Sequence, residues 1–173
     1  LRPLTTSYTP YQPERSQGTL VTHWIYQCAL SALTGFEAIN TSLYDRSAAL
    51  FEAIACAIRT NPRGTRILLA GSLFDEDREV LDTLVRETEI EFAIAPVNPS
   101  SGCLDFSALD GMEEEATKGF AAFVFPQVNK FGLLEKVDDL ADFARERGMR
   151  SVACIDPMLL ACGGLKPPTE FGK

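Results

Sequence analysis

The sequence predicts an α/β domain of three layers, with helices on both faces of a mostly parallel sheet. Four continuous apolar runs of strand length follow one another along the chain, and amphipathic helical segments separate them. Strands that alternate with helices at roughly 30-residue spacing are joined by right-handed crossovers, so neighbouring strands run in parallel. Ligands of such domains bind beyond the carboxyl ends of the strands.

The predicted strands are apolar along their whole length, as strands covered on both faces should be. They span residues 66–70, 92–97, 120–125 and 151–155. Helical patterns lie between them, around residues 81–85, 107–118 and 137–147, and the middle one is the weakest. The ligand edge is expected at the carboxyl ends of the strands, which are Gly71-Ser72, Asn98-Pro99, Pro126-Gln127 and Asp156-Pro157.

Two further helices are predicted ahead of the first strand. Apolar residues recur at helical spacing over about residues 16–32, and Gly35 supplies a C-terminal stop. Asp45 offers an N-cap to a second helix that reaches about Thr60. Glu52 is the only charge in the central part of that helix, which predicts a helix buried on nearly all sides.

The chain is predicted to consist of an extended arm, residues 1–15, and an α/β domain, residues 16–173. Three prolines in the arm interrupt regular structure, and its aromatic side chains are expected to pack on another surface. The chain begins without Met and ends in the turn-forming segment Pro167–Lys173, so the domain is expected to be truncated at both ends.

Charge and composition exclude several classes of function. The net charge is -8 and the 16 Lys and Arg are scattered among 24 acidic residues, which disfavours binding to nucleic acid or to an anionic membrane. No apolar run approaches the roughly 18 residues of a membrane span. The sequence therefore predicts a cytoplasmic protein that binds neither nucleic acid nor a membrane.

The five cysteines show no disulfide or metal-binding pattern. They are odd in number, lack a C-x-x-C spacing and lie mostly in apolar runs, which predicts buried, reduced thiols, including Cys28 and Cys56 as core residues. His23 is the only histidine, so no metal site is expected, and without a carboxylate partner it is interpreted as an ordinary surface or interface residue.

Three other polar features are interpreted as structural. The turn Gly71-Ser72 lacks a G-x-G-x-x-G pattern and is followed by acidic residues, so Ser72 is predicted to cap the next helix. Asp156 ends the last strand, where it can cap the segment after Pro157. The run Glu113-Glu114-Glu115 is typical of a solvated helix face.

A set of longer motifs carries a family resemblance that spans essentially the whole chain. The motifs are Tyr8-Thr9-Pro10-Tyr11-Gln12-Pro13-Glu14, Ser16-Gln17-Gly18, Tyr26-Gln27, Leu33-Thr34-Gly35, Asn40-Thr41-Ser42-Leu43-Tyr44-Asp45, Gly132-Leu133-Leu134-Glu135 and Leu165-Lys166-Pro167-Pro168 with Glu170-Phe171-Gly172. In these segments the chain resembles a central part of the alpha subunit of the glycine-decarboxylating P-protein of the glycine cleavage system.

The resemblance implies the large-domain fold of the fold-type-I pyridoxal-phosphate enzymes, here incomplete. It implies an oligomeric enzyme that decarboxylates glycine and transfers the aminomethyl group to the lipoyl arm of the H-protein, with pyridoxal 5'-phosphate as electron sink. In that family the beta subunit binds the cofactor and carries the Schiff-base lysine. The alpha subunit, which this chain resembles, completes the active-site cleft.

The resemblance also implies roles for particular residues. No catalytic residue is expected, because none of the lysines lies in an apolar segment that would favour a neutral amine: Lys118, Lys130, Lys136, Lys166 and Lys173. Ser47 and Asp156 are candidates for a degenerate cofactor site, Asp156 by analogy with the aspartate that pairs with the pyridinium nitrogen. The expected lining of the intersubunit cleft is Tyr8, Thr9, Tyr11, Gln12, Glu14, Ser42, Tyr44 and Asp45.

One departure from the family pattern concerns the start of the second helix. The family usually has Y-D-G-x-T-A where this chain has the segment from Tyr44 to Ala49, so Arg46 replaces a glycine. A glycine there would let the backbone approach a ligand closely. Arg46 is expected either to replace that contact with a charge or to close the site.

Two alternative functions stay open from the sequence. The chain could be a non-enzymatic binding or regulatory domain on the same scaffold, since a fold alone does not determine function. It could also be a fragment of another fold-type-I pyridoxal-phosphate enzyme, with its lysine beyond Lys173.

Overall fold

The computed structural model describes residues 4–6, 8–41, 43–112 and 119–172, which form two compact units. The first contains the residues up to Leu43 together with Pro157–Glu170, and the second contains Tyr44–Asp156 with Phe171 and Gly172. This division differs from the predicted boundary after residue 15. No helix of the described part of the chain is both long and apolar enough to cross a membrane.

Helix α1, Gln17–Thr34, is the main element of the first unit. It ends where predicted, because Gly35 adopts a left-handed φ of 80° and its N–H donates to the Ser31 carbonyl. The arm before it is not extended as predicted. Residues 10–15 form turns, and the Thr6 carbonyl accepts the N–H of Thr19 at 3.0 Å, so the arm folds back onto the helix start.

The rest of the first unit consists of short 3-10 turns within Pro157–Gly163 and at Pro168–Glu170. The first of these segments is interrupted at Ala161 and Cys162, and Cys162 has a left-handed φ of 55°. Thr169 Oγ1 donates to the Thr34 carbonyl at 2.9 Å and ties the second segment to the end of α1.

The second unit contains the parallel sheet that the sequence predicts. Its strands are β1 (Arg66–Ala70), β2 (Glu91–Ala95), β3 (Phe120–Pro126) and β4 (Arg150–Cys154). They pair in parallel in the order β2-β1-β3-β4. The inner strand β3 is buried throughout, as its continuous apolar run indicates, whereas the outer strands β2 and β4 are partly exposed.

The helices of this unit are α2 (Arg46–Thr60), α3 (Asp75–Val85), α4 (Phe106–Asp110) and α5 (Val137–Glu146). The crossover through α3 runs from β1 outward to β2, and the crossover through α5 runs from β3 outward to β4. Right-handed crossovers in opposite directions place α3 and α5 on opposite faces of the sheet, which confirms the predicted three-layer class.

Two helix predictions need correction or lie outside the description. Helix α2 buries one face, which contains Leu50, Ile54 and Ala57, but it is not buried on nearly all sides: Glu52 and Cys56 are exposed. A helix that packs on one side of a sheet keeps an outer face in solvent, even when its composition is mostly apolar.

The predicted helix over 107–118 is seen as α4 up to Asp110. Residues 113–118, which include Glu113-Glu114-Glu115, lie outside the described residues.

Candidate functional site

The candidate site lies at the carboxyl edge of the sheet, where the strand order reverses. The chain leaves β1 toward β2 on one side and leaves β3 toward β4 on the other. Such a switch point opens a crevice beyond the strand ends, and ligands of parallel α/β folds bind there. Ser72 and Gln127, which follow β1 and β3, are both buried at this edge.

Ser72 has a different role from the predicted helix cap. Helix α3 begins at Asp75, three residues later, with Phe74 in the cap position and no side-chain cap. The Ser72 hydroxyl is fully buried and has no hydrogen-bond partner among the described residues, while its carbonyl accepts the N–H of Lys130 at 3.0 Å. A buried polar atom without a partner is energetically costly.

The start of α2 is held by two carboxylates. Asp45 is the predicted N-cap, and its Oδ1 accepts the N–H of Ala48 at 2.7 Å. Asp77, from the first turn of α3, accepts the Ser47 hydroxyl on Oδ1 at 2.7 Å and pairs with Arg46 Nε through Oδ2, also at 2.7 Å. The Asp77 side chain is 2% exposed and that of Arg46 is 50% exposed.

Arg46 has two partners within the chain. Its guanidinium lies over the Phe74 ring, 4.4 Å from the ring centroid, as well as against Asp77. The charge of Arg46 is therefore engaged by a carboxylate of the same chain. The donors at this helix start are already bound to carboxylates of the chain: the Ser47 hydroxyl and the Arg46 guanidinium to Asp77, and the Ala48 N–H to Asp45. A phosphate group would also be repelled by both carboxylates, so these residues do not fit a phosphate.

Asp77 and Arg46 also affect the pKa of Cys154, the last residue of β4. Burial, and to a smaller extent the Asp77 carboxylate, raise the pKa of its thiol to about 11, while Arg46 acts in the opposite direction. The thiol is thus protonated at neutral pH and is a poor nucleophile.

Sequence reasoning missed Asp77, although a signal for it exists. Asp77, Leu81 and Val85 are spaced four residues apart and are the buried residues of α3. A carboxylate in line with the apolar face of a helix must be buried, and a buried carboxylate requires donors. Asp75 and Glu76, which are adjacent in sequence, are exposed, so the acidic run conceals the one residue that points inward.

A second buried polar network fixes the loop after β3. Glu135 accepts the Leu104 N–H on Oε2 at 3.1 Å and the Asn129 amide on Oε1 at 2.9 Å. Asn129 also donates to the Gly102 carbonyl at 2.9 Å. These contacts connect two loops at the carboxyl edge, and every named group has a partner within the chain, which indicates a structural role.

The residues predicted to line an intersubunit cleft are mostly exposed. Tyr11 and Tyr44 are 90% and 97% exposed, so neither ring is covered by the described residues of this chain. Tyr8, Thr9, Gln12 and Glu14 are exposed as well, and Asp45 serves as the cap of α2. Ser42 lies outside the described residues.

The other candidate residues are placed as follows. Asp156 is exposed after β4, and the structure brings Ser47, not Asp156, together with Asp77. His23 is half-buried on α1. Nowhere in the described ranges do three or more His, Cys, Asp or Glu side chains form a group that could hold a metal ion.

The prediction of buried cysteines is wrong for three of the five. Cys28, Cys56 and Cys162 are exposed, whereas Cys103 and Cys154 are half-buried. An apolar run predicts that a segment packs, but the side of the helix on which a thiol lies depends on what covers it.

The described lysines lie outside the sheet core. Lys130 pairs with Asp75 at 2.7 Å, and Lys136 lies over the ring of Phe106. Lys166 is half-buried in the first unit, and Lys118 and Lys173 lie outside the described residues.

Comparison with known proteins identifies the family. The model of the glycine cleavage system P-protein family matches residues 3–173. The chain belongs to the P-protein family of the glycine cleavage system. Its family relatives include the probable glycine dehydrogenase (decarboxylating) subunit 1 of Nitrosomonas europaea, 41% identical over 167 residues, and that of Methylococcus capsulatus, 43% identical over 169 residues.

Each comparison covers 96% of this chain but only 36% of the relative, so the chain spans about a third of the length of the P-proteins it matches. The crystal structure of glycine decarboxylase (P-protein) of the glycine cleavage system in inhibitor-bound form superimposes with a TM-score of 0.82 at 33% identity. The superposition covers 96% of this chain and 36% of the chain in that crystal structure.

More distant structures share only the fold. One of them is a putative O-acetylhomoserine (thiol)-lyase from Campylobacter jejuni, solved with a pyridoxyl-lysine monophosphate. The superposition covers 98% of this chain and 41% of the lyase chain, with 12% identity and a TM-score of 0.62. The P-protein chain therefore has the fold of pyridoxal-phosphate enzymes of type I.

Proposed function

We propose that this chain is part of the alpha subunit of a glycine decarboxylase. That enzyme decarboxylates glycine and transfers the remaining aminomethyl group to the lipoyl arm of the H-protein. The observation that carries the proposal is the match to the P-protein family over residues 3–173, together with about 41% identity to relatives named as subunit 1. The separate naming of a subunit 1 supports a second, beta subunit as partner. A cytoplasmic location and an oligomeric complex are further parts of the proposal.

In this proposal the chain is the partner without the Schiff-base lysine, and the beta subunit binds pyridoxal 5'-phosphate. Two observations support the assignment. The ammonium of Lys130 is in an ion pair with Asp75 rather than in an apolar pocket. The start of α2 already contains the carboxylates of Asp45 and Asp77, which disfavour the phosphate of the cofactor.

The role of the chain in catalysis is then to complete the cleft of the beta subunit. The arm around Tyr8 and Tyr11, and Tyr44 ahead of α2, expose aromatic rings that also carry a hydroxyl. Such side chains are enriched at interfaces because they bury a large apolar area and still donate a hydrogen bond. We assign residues 1–15 to this contact and residues 16–173 to a transferase-like domain.

Reconstitution tests the proposed function. The full-length subunit that contains this sequence is combined with a beta subunit and a lipoylated H-protein, and the release of labelled carbon dioxide from carboxyl-labelled glycine is measured. We expect release from the complete mixture and none when either subunit is omitted. Equal release without the subunit that contains this chain would contradict the proposal and favour a non-enzymatic regulatory role.

A spectroscopic test separates the lysine assignment from the activity. The isolated chain is mixed with pyridoxal phosphate, and its visible spectrum is recorded before and after borohydride. We expect no stable, reducible Schiff-base absorbance near about 400 nm, because no described lysine has the environment of a nucleophilic amine. A stoichiometric reducible band would show that this chain itself binds pyridoxal phosphate through a lysine. That result would contradict the lysine assignment even if the subunit assignment were correct.

A further inference from the structure

The start of α2 has the position of an anion-binding site. At the other end of this helix, Asn61 Nδ2 donates to the carbonyls of Ala121 and Gly148 at 2.9 Å each, at the amino edge of the sheet. A helix of 15 residues that ends there begins at the carboxyl edge, where Ser47 meets the first turn of α3. Helix starts at this edge attract anions through their free N–H groups and their partial positive charge.

The anion position at this helix start contains a side chain of the protein itself. Asp77 is the most buried charged side chain of the α2–α3 contact: its Oδ1 accepts a hydrogen bond from the Ser47 hydroxyl, and its Oδ2 lies in an ion pair with Arg46 that lacks hydrogen-bond geometry. A buried carboxylate is stable only with such donors, because the loss of solvation must be offset by charge and hydrogen bonds.

We propose that Asp77 is an internal anion that fills the anion position of α2 and closes this chain to phosphate groups, including that of pyridoxal phosphate. Arg46 holds the carboxylate from the solvent side, since its own side chain is half-exposed and stacks on Phe74. A free phosphate competes for the same hydroxyl and guanidinium as Asp77, but it is repelled by Asp77 and Asp45. The closure is a property of this chain, whichever subunit carries the cofactor.

The proposal predicts that removal of one negative charge opens the site. In Asp77→Asn the amide is neutral, so Arg46 loses its charge partner and becomes available to an external anion, while the amide oxygen can still accept the Ser47 hydroxyl. Equilibrium dialysis of the whole chain against labelled inorganic phosphate measures binding directly. We expect no saturable binding to the wild type, and saturable binding to Asp77→Asn that is lost again in Asp77→Asn/Arg46→Ala.

Asp75→Asn is the matched control. It removes the same charge from the same turn of α3, but Asp75 is exposed and pairs with Lys130 rather than with α2. We expect Asp75→Asn to behave as the wild type. Equal phosphate binding by both single variants would mean a general effect of net charge and would overturn the proposal.

Thermal unfolding provides a second readout if Asp77→Asn is unstable. Loss of the buried charge leaves Arg46 without its ion pair, so we expect a lower Tm that phosphate partly restores, whereas the Tm of Asp75→Asn shows no specific response. Saturable phosphate binding by the wild type, or an Asp77→Asn variant that neither binds phosphate nor is stabilised by it, would refute the internal-anion role.

Discussion

At the scale of single residues, one buried charge determines the chemistry around the start of α2. Asp77 holds Ser47 and Arg46, and the same carboxylate helps to raise the pKa of the Cys154 thiol. The neighbouring acidic residues Asp75 and Glu76 are exposed and share none of this effect. Asp77 affects its neighbours because it is buried. Asp75 and Glu76 carry the same charge but are exposed to solvent.

The Cys154 thiol should therefore make the protein less stable at alkaline pH. Its pKa is raised from 9.0 to about 11 in the folded state, so the unfolded chain loses the proton first and stability falls as pH rises through this range. The loss is bounded by about 3 kcal/mol, since a tenfold change in proton affinity corresponds to about 1.4 kcal/mol. Urea unfolding at several pH values should show a shallower alkaline decline for Cys154→Ala than for the wild type.

Cys56→Ala serves as the control for this experiment, because Cys56 is exposed on α2 and should leave the decline unchanged. A thiol reagent gives a second readout at neutral pH. Cys28, Cys56 and Cys162 should react quickly in the native protein, and Cys154 only after unfolding. Fast native reaction of Cys154, or identical alkaline profiles of the two variants, would contradict the assignment.

At the scale of elements, α2 connects the two edges of the sheet. Its start takes part in the contact with Asp77 at the carboxyl edge, and its end is fixed by Asn61 to the segments that enter β3 and β4. A helix held at both ends keeps the position of its first turn, and hence the geometry of Arg46 and Ser47, independent of the exposed residues along its outer face.

Asn61→Ala should weaken this connection. The change removes two hydrogen bonds from a side chain that is 8% exposed and leaves the Ala121 carbonyl buried without that donor. We expect a loss of about 2–3 kcal/mol in the free energy of unfolding. Thr60→Ala is the control, because the Thr60 hydroxyl bonds only to carbonyls of its own helix and is exposed; it should cost well under half as much in the same urea titration.

The arm of residues 8–14 is the element that we expect to affect activity without affecting the fold. Tyr11 is 90% exposed and the Gln12 side chain is exposed, so Tyr11→Ala and Gln12→Ala should leave the unfolding midpoint of the full subunit unchanged. If the arm lines the cleft, each should lower glycine decarboxylation by the reconstituted enzyme by roughly fivefold or more, the effect of an interface anchor.

Tyr11→Phe distinguishes the hydroxyl of Tyr11 from its ring, and Thr83→Ala, an exposed change on α3, controls for unspecific effects. Unchanged kinetics in both arm variants would assign the arm to packing alone.

At the scale of the whole molecule, the described chain exposes several large apolar side chains. Helix α1 alone presents Trp24 and Ile25 at 68% and 53% exposure, and Phe131 is 56% exposed on the loop after β3. Exposed apolar side chains of this size are typical of surfaces that another chain covers. The outer strands β2 and β4 add backbone groups that a further strand can pair with.

The 173-residue chain should therefore self-associate in solution. The net charge of -8 opposes contact, but screening at physiological salt limits the repulsion to about 8 Å. Sedimentation velocity over a concentration series should show mass above the monomer, and Trp24→Ser should reduce it. Leu84→Ser, on the outer face of α3, should not. A strict monomer at the highest concentration would mean that these surfaces do not drive association.

The sequence alone determined the class of the fold, the four strands and the ends of the first two helices. These features depend on local periodicity and on single capping residues such as Gly35 and Asp45, which act within a few residues of their own position. Only the tertiary structure decided that Asp77 meets Ser47, 30 residues away, that the Ser72 hydroxyl is buried without a described partner, and that three cysteines face outward. Such facts depend on which distant groups share a buried volume: the spacing of Asp77, Leu81 and Val85 indicates that Asp77 is buried, but no local pattern says which donors it meets.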